Sequence, residues 1–328
     1  MHVFAVLLAV VSAIGLATGT HLQHRAVSTQ TTSSGASAGA SVVEAIRRPA
    51  WLLGMTVMVA ATLVSVVALG LAPVALVQPI GALSLVCAAL ISARVLRVRI
   101  NRGLVTGIGL AVLSVGAFVG LSAGFVREST PSDAELFALA GLMLALIVVA
   151  VVVVRASRGH LARVITAGVL FGSVAAAVHI VASEAIACLG GGACRLVGAS
   201  AQPLPIAVLF VLLVSGSVLG GWLVQTAYAS GPPETVLAGL TVIDPIVAVL
   251  IGAAILGEYV IMPFPVVLAL ICTAAVACFG VALIVRHHPG HLASPATPAG
   301  APVEAVPAPR ANAHVNRGET AIIECRGR

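Results

Sequence analysis

Long apolar stretches recur along the chain and leave only short segments between them. Nine of them reach roughly the length of about 20 residues that a helix needs to cross a bilayer, near residues 3–20, 50–70, 74–93, 104–125, 136–154, 164–187, 204–227, 235–256 and 264–285. Hydrophobic residues make up 60% of the chain and charged residues 9%. A soluble protein of 328 residues cannot bury that much apolar surface. We therefore predict an all-α polytopic membrane protein of about nine transmembrane helices.

The arginines predict how these spans are oriented. The chain has no lysine, and all 17 of its Lys and Arg residues are arginine. With the N-terminus outside and the C-terminus in the cytoplasm, the cytoplasmic arginines are Arg25, Arg47, Arg48, Arg94, Arg97, Arg99, Arg102, Arg155, Arg158, Arg163, Arg286, Arg310, Arg317, Arg326 and Arg328. Only Arg127 and Arg195 lie outside, as the positive-inside rule favours. The basic residues thus indicate topology, and we expect no nucleic-acid partner.

Two polar segments delimit the predicted membrane domain. Residues 21–49 are rich in Ser, Thr, Gly and Ala and are typical of a flexible cytoplasmic loop. Residues 287–328 are polar and rich in Pro and Ala, which predicts a disordered cytoplasmic tail. The transmembrane domain is then residues 1–286, with half one at about 1–125 and half two at about 136–286.

Two of the six cysteines bracket a short loop. Cys188 and Cys194 enclose Leu-Gly-Gly-Gly-Ala, which the predicted topology places outside. An oxidising compartment allows a disulfide there, and two free thiols are the alternative. The remaining cysteines have no spacing typical of a metal site.

An internal repeat relates the third and eighth apolar stretches. At a constant offset of 160 residues, APVALVQPIGALSLVCAALISARVLRV (72–98) aligns with PPETVLAGLTVIDPIVAVLIGAAILGE (232–258). A proline-containing turn opens each stretch. Since the third and eighth spans are five positions apart along the chain, with four spans between them, they cross the membrane in opposite directions. The pattern predicts a 4+5 inverted-repeat bundle, an architecture of secondary transporters whose substrate site lies near the bilayer midplane.

The block 72–84, APVALVQPIGALS, resembles the NIPA-type magnesium transporters of the drug/metabolite transporter superfamily. Three further elements are similar to that family: QTAY at 225–228, Asp244-Pro245, and LGE at 256–258. The resemblance implies a secondary transporter of Mg²⁺ or another divalent cation, working by alternating access without a resident cofactor. A composition rich in Ala, Val, Gly and Arg without lysine suggests a bacterial plasma membrane.

Two other functions remain open at this stage. The wider superfamily includes proton-coupled exporters of small organic metabolites or drugs, which need only one titratable carboxylate. The sparse polar groups inside the spans also suit a membrane scaffold that transports nothing. An enzyme is not expected: without lysine there is no Walker A motif, and Gly-x-Ser-x-Gly at 120–124 closes an apolar span instead of joining a strand to a helix.

Ionisable residues inside spans are the strongest candidates for the transport pathway, because each is costly in hydrocarbon. Asp244 lies near the middle of the eighth span and predicts a cation or proton site, with direct metal contact the sharpest form of that hypothesis. The alternative is a carboxylate satisfied by a neighbouring helix. His179 and Glu184 share the sixth span, where His179 suits either the pathway or a hydrogen bond between helices. Glu184 is a pathway residue or a solvated helix end.

Neutral oxygen ligands complete the candidate set. Hydrated Mg²⁺ needs only one or two carboxylates and keeps several waters, and polar organic solutes use the same groups. The candidates are Gln78 and Ser84 on either side of Pro79, and Gln225 and Tyr228 in the seventh span. Helix breaks are expected at Pro79 and Pro245, since proline removes a backbone donor. Glu258 is expected to anchor a helix end at the outer boundary, and Gly81, Gly107, Gly109, Gly116 and Gly120 to serve close packing.

Overall fold

The structure, a computed structural model, describes residues 2–28, 49–95, 101–127, 130–156, 159–191 and 203–287. The helices in these ranges are α1 (His2–Ser28), α2 (Pro49–Leu71), α3 (Val74–Gly81), α4 (Leu83–Val95), α5 (Arg102–Ala123), α6 (Asp133–Arg155), α7 (His160–Leu189), α8 (Leu204–Ser230), α9 (Pro233–Ala254) and α10 (Phe264–Arg286). Because α3 and α4 share one span, the described residues contain 9 spans long and apolar enough to cross a membrane. The predicted all-α, nine-span architecture is confirmed, and the direction of each span stays a prediction.

The first helix is longer than predicted. It continues to Ser28, so residues 21–28 of the loop predicted at 21–49 are helical, and residues 29–48 lie outside the described residues. The hydroxyls of Thr18 and Thr20 donate to carbonyls one turn earlier in the same helix. Polar side chains that bond to their own helix in this way leave the backbone hydrogen bonds intact, so a helix can continue past them.

Short polar side chains begin two of the spans. Asn101 accepts the backbone N–H of Leu104 at 2.7 Å and caps α5. Ser132 and Glu135 form a capping box at the start of α6, in which each side chain bonds the backbone of the other residue. Both caps bind donors that the first turn of a helix leaves without an intrahelical partner.

The two predicted halves, α1–α5 and α6–α10, meet chiefly along three helix pairs. These pairs are α2 with α7, α3 with α9, and α5 with α10. One buried cluster takes residues from both halves, among them Ala68, Val77, Val115, Ala175 and Ala248. The interface between the halves is therefore built largely from small and β-branched side chains that allow close approach.

Glycines at the helix crossings differ from the predicted set. Of the five glycines expected to pack closely, only Gly107 lies against another helix; a methyl group on Gly81, Gly109, Gly116 or Gly120 would meet open space. The close crossings instead use Gly107 against Gly280 between α5 and α10, and Gly168 and Gly172 between α7 and α9. Glycine content alone does not tell which side of a helix faces protein.

The third span is interrupted, but not at the predicted residue. Pro79 lies inside α3, and the turn falls at Ala82, three residues later. The Ser84 hydroxyl donates to the Gly81 carbonyl at 2.7 Å, which binds one acceptor that the interrupted ladder leaves free. The break predicted at Pro245 is wrong: α9 runs through this residue, since neighbouring helices allow membrane helices to tolerate proline.

We expect Gly280→Ala to destabilise the protein and Gly109→Ala not to. A methyl group at Gly280 would lie 2.7 Å from the Ala111 backbone nitrogen and 3.0 Å from the Gly107 carbonyl oxygen. Overpacking of this kind costs about 1–3 kcal/mol, against a gain of about 1 kcal/mol in helix propensity that both variants share. Unfolding temperatures in one detergent compare them. Equal unfolding temperatures would contradict the close α5–α10 crossing.

Candidate functional site

Glu258 joins the two halves of the protein at one end of the bundle. Its side chain is buried, and the residue is 1% exposed. Oε1 accepts the backbone N–H of Val74 at 2.9 Å, and Oε2 accepts that of Ala75 at 3.1 Å. A carboxylate from half two therefore caps the first turn of α3 in half one.

The start of α3 needs such a partner from elsewhere in the chain. Its N-cap residue is Pro73, whose side chain makes no capping hydrogen bond. The first turn of a helix leaves its N–H groups unpaired and carries partial positive charge, so an anionic acceptor is favoured there. Hydrogen bonds to a charged group contribute about 1.5–3 kcal/mol each. The contact between Glu258 and α3 is thus among the strongest polar interactions between the halves.

Two glycines shape the turn that delivers Glu258. Gly257 has φ of 59°, a left-handed conformation that glycine adopts without steric cost. Gly252 leaves room for the carboxylate, because a methyl group there would lie 2.5 Å from Oε2. The Glu258 N–H then donates back to the Gly252 carbonyl at 3.0 Å. The tripeptide LGE at 256–258 therefore ends α9 and aims its carboxylate at α3.

His179 lies between Glu258 and the end of the preceding helix α2. Its Nδ1 lies in hydrogen-bonding contact with the Leu69 carbonyl at the end of α2, and its Nε2 lies 3.7 Å from Oε1 of Glu258. Since a carbonyl only accepts, the proton sits on Nδ1. His179 therefore bonds between helices, as one of its two predicted roles requires.

The loops at the same end add further bonds between the halves. The backbone N–H of Arg127 donates to the Glu258 carbonyl at 2.8 Å, and its Nε donates to the Gly257 carbonyl at 3.1 Å. Val126 and Tyr259 form an isolated antiparallel bridge. The Tyr259 hydroxyl lies 3.1 Å from Oγ of Ser122. Burial raises the pKa of the Tyr259 phenol above its ordinary value, so it stays a protonated partner for Ser122.

These residues are treated below as one unit. The Glu258 cluster consists of Leu69, Val74, Ala75, Ser122, Val126, Arg127, His179, Glu258 and Tyr259, and it marks the Glu258 end of the bundle. The sequence predicts only a boundary anchor for Glu258. The carboxylate does bind a helix end, but the end belongs to another helix and the residue lies in the interior.

Asp244 carries a second carboxylate inside the bundle, and the residue is half-buried in the middle of α9. Its Oδ1 is buried and has no hydrogen-bond partner among the described residues. Its backbone carbonyl faces Gly172 of α7. Ala248, one turn further along α9, belongs to the buried cluster that both halves share. A buried carboxylate oxygen without a partner is costly, so it needs a proton or a bound cation to account for it.

None of the other predicted pathway residues forms a hydrogen bond with Oδ1 of Asp244. Gln225 and Tyr228 are exposed on α8. Gln78 is half-buried in α3, and Ser84 bonds its own broken helix. Glu184 is half-buried in α7 and has a bonding partner. Each of these residues keeps its pathway role only as a proposal, and none of them is placed beside the unpaired carboxylate oxygen.

The predicted disulfide falls partly outside the described residues. Cys188 is disulfide-bonded, while Cys194 lies outside the described ranges. Cys87, Cys272 and Cys278 are free thiols. The pairing of Cys188 with Cys194 therefore stays a prediction.

Metal-binding side chains are sparse in the part of the chain that the structure describes. No group of three or more His, Cys, Asp or Glu residues that could hold a metal ion occurs there. A resident metal centre of the kind found in metalloenzymes usually needs such a group. A Mg²⁺ ion in transit differs, because it retains water and takes one or two carboxylates. The single carboxylate of Asp244 is enough for that smaller requirement.

A cavity of about 540 Å³ lies beside α9. Its walls come from α3, α5, α9 and α10 and from the segment after α9, and its lining is almost entirely apolar. Pro79, Phe118, Thr241, Pro245, Met262 and Cys278 are among the lining residues. Such a lining offers no oxygen cage for a cation, so the cavity and the Asp244 carboxylate present different chemistry.

The fold and the site define a class of protein first. The described residues form nine apolar spans with few polar groups inside, one of them the Asp244 carboxylate, and this arrangement is that of a multi-pass membrane protein. Residues 1–288 match the family described as Magnesium transporter NIPA. The chain belongs to this family, which is part of the drug/metabolite transporter superfamily.

A relative and the solved structures complete the comparison. An uncharacterized protein of Corynebacterium glutamicum is 27% identical over 270 residues, covering 78% of this chain and 86% of that protein. No solved structure matches the chain. The family therefore rests on the sequence, and the geometry of the site rests on this structure.

We expect Asp244→Asn to leave the unfolding temperature unchanged or raise it. Replacing the carboxylate by an amide removes the desolvation cost of the buried Oδ1 and, on the described contacts, breaks no hydrogen bond of this atom. Thermal unfolding of the purified variant beside the parent measures this. A loss of about 3 kcal/mol or more in the free energy of unfolding would instead indicate a structural partner for the carboxylate.

Proposed function

We propose that the protein carries Mg²⁺ or another small divalent cation across a bacterial plasma membrane by alternating access. Asp244 contacts the cation on its path. The observation that carries this proposal is the buried Oδ1 of Asp244, which has no partner among the described residues. A passing cation supplies the missing partner.

Three further points support a cation. Membership of the Magnesium transporter NIPA family supports Mg²⁺ among the divalent cations. One carboxylate is enough for an ion that keeps most of its water shell. Position supports it as well, because Asp244 lies at mid-helix in the span predicted as the second copy of the repeat, where transporters of this architecture bind substrate.

Transport itself is tested in a magnesium-uptake-deficient bacterium that expresses the chain. We expect the parent to restore growth at low Mg²⁺ and Asp244→Asn to lower the initial uptake rate by about tenfold or more, a factor that corresponds to about 1.4 kcal/mol. Removal of the negative charge explains the loss, since the amide keeps the size of the side chain.

The matched control is Glu135→Gln, which makes the same carboxylate-to-amide change in the capping box of α6. Glutamine also fills that position of a capping box, so uptake should stay at the parental rate. Immunoblots of membranes confirm equal amounts of each protein. A well-inserted parent that takes up no Mg²⁺ would overturn the proposal for uptake, and equal rates for parent and Asp244→Asn would remove Asp244 from the path.

A second candidate function is proton-coupled export of small, largely apolar organic solutes. The apolar cavity beside α9 favours it, because ligand pockets are lined mostly by apolar side chains and enclose about 300–1,000 Å³. Asp244 would then bind the coupling proton. A scaffold that transports nothing would show no dependence on Asp244 in either assay.

Ligand-dependent unfolding separates the two transport functions. A ligand at 100 times its Kd stabilises the protein by about 2.7 kcal/mol, so we expect Mg²⁺ to raise the unfolding temperature with concentration. Choline chloride at equal ionic strength is the salt control. The shift should vanish in Asp244→Asn. Stabilisation by apolar organic solutes with no response to Mg²⁺ would favour the exporter.

A further inference from the structure

We propose that Glu258 is a positioning residue that holds the start of α3 against half two and keeps Asp244 closed off from the Glu258 end of the bundle. Its two hydrogen bonds to α3 must break each time the transport path opens at that end. This inference rests on the proposed transport function, because it assigns a role within the same cycle.

The Glu258 cluster joins the halves across a large separation in sequence. Glu258 reaches Val74 across 184 positions and Ala75 across 183. Ser122 belongs to half one and Arg127 to the loop that follows it, while their partners Tyr259 and Gly257 follow α9 in half two. Since these bonds join half two to half one or to the loop after it, separation of the halves at this end breaks them together.

A turn separates the short helix α3 from the rest of its span. The helix has 8 residues, and the turn at Ala82 lies between it and α4. A methyl group on Gly81, at the end of α3, would meet open space, so this junction is not packed on all sides. The Glu258 carboxylate holds one end of this segment, and opening requires the segment to pivot at the turn.

This segment also covers the helix that carries Asp244. Helix α3 packs against α9, and Val77 shares a buried cluster with Ala248, one turn from Asp244. Ala72 and Val74 at the start of α3 are buried in the same cluster. When the start of α3 separates from Glu258, the side of α9 that packs against α3 becomes exposed.

Charged and titratable groups surround Glu258 from each neighbouring element. His179 comes from α7, Tyr259 is the next residue in the chain, and Arg127 comes from the loop after α5. His179 also bonds the end of α2 through Leu69, one turn before α3 begins. The histidine therefore bonds the preceding helix of half one and lies next to the same carboxylate.

The first experiment measures access to residue 72 without any need for transport. In a background with the native cysteines replaced, Ala72→Cys is labelled with maleimide in the full-length protein in membranes. We expect Glu258→Gln to raise the labelling rate by about tenfold or more. A loss of about 1.4 kcal/mol in the free energy that favours the closed state gives that factor. Ala17→Cys, buried in α1, should label at an unchanged rate. An equal rate at residue 72 with and without Glu258→Gln would overturn the proposal.

A second variant tests the same role of Glu258 in case Glu258→Gln misfolds. Gly252→Ala keeps the charge but pushes a methyl group to 2.5 Å from Oε2, so it should also raise labelling at residue 72. Gly116→Ala, which meets open space in α5, is the matched control and should not. Labelling that rises equally in both alanine variants would contradict a specific role for the carboxylate.

A reversible cross-link tests whether the Glu258 end must open during transport. Val126 and Tyr259 face each other in an antiparallel bridge flanked by hydrogen bonds of the neighbouring residues. Cα atoms in such a pair are about 4.5 Å apart, within the range for a disulfide. We expect oxidised Val126→Cys/Tyr259→Cys to stop transport and reduction to restore it. Full transport by the oxidised protein would overturn the required opening.

The labelling experiment and the transport experiment can fail independently of each other. If the parent takes up no Mg²⁺ but Glu258→Gln still exposes residue 72, the proposed substrate is wrong and the positioning role of Glu258 stands. If the parent transports Mg²⁺ while neither variant changes labelling, the transport function stands and Glu258 does not hold α3.

Discussion

The structure depends on how the third membrane span satisfies the backbone at its start. Within a bilayer, every N–H and C=O needs a partner inside the protein. The span begins with α3, whose N-cap residue Pro73 offers no side-chain acceptor, so the first N–H groups of α3 have no partner within the helix. Glu258 supplies the acceptors for two of those N–H groups. One carboxylate thereby fixes the position of α3, the spacing of the two halves at this end, and the cover over the helix that bears Asp244.

The sequence allowed the architecture to be predicted because hydrocarbon imposes a length on every span. Nine apolar stretches and an interruption near Pro79 follow from that constraint, although the turn falls at Ala82 and Pro245 causes no break. The start of α3 at Val74 and of α9 at Pro233 also fits the proline turns of the predicted repeat. Local signals thus located the elements, with errors of a few residues at their ends.

The site could not be predicted to the same degree, for two physical reasons. In a membrane helix such as α8, the lipid-facing and protein-facing sides are equally apolar, so periodicity does not tell that Gln225 and Tyr228 are exposed. Glu258 follows a helix end, where a solvated anchor is the ordinary expectation. Its real partners lie 183 and 184 positions away. The useful signal was Gly257 directly before it, which permits the turn that directs the carboxylate inward.

The opposite end of the bundle is joined in a different way. There the backbones of α5 and α10 meet at Gly107 and Gly280, and neither glycine has room for a side chain. From Gly107 to Ser122 the helix α5 is roughly 20 Å long, at about 1.5 Å per residue. Because of this length, any rotation of α5 about the glycine contact would displace its far end at Ser122 by several times more than the residues beside Gly107.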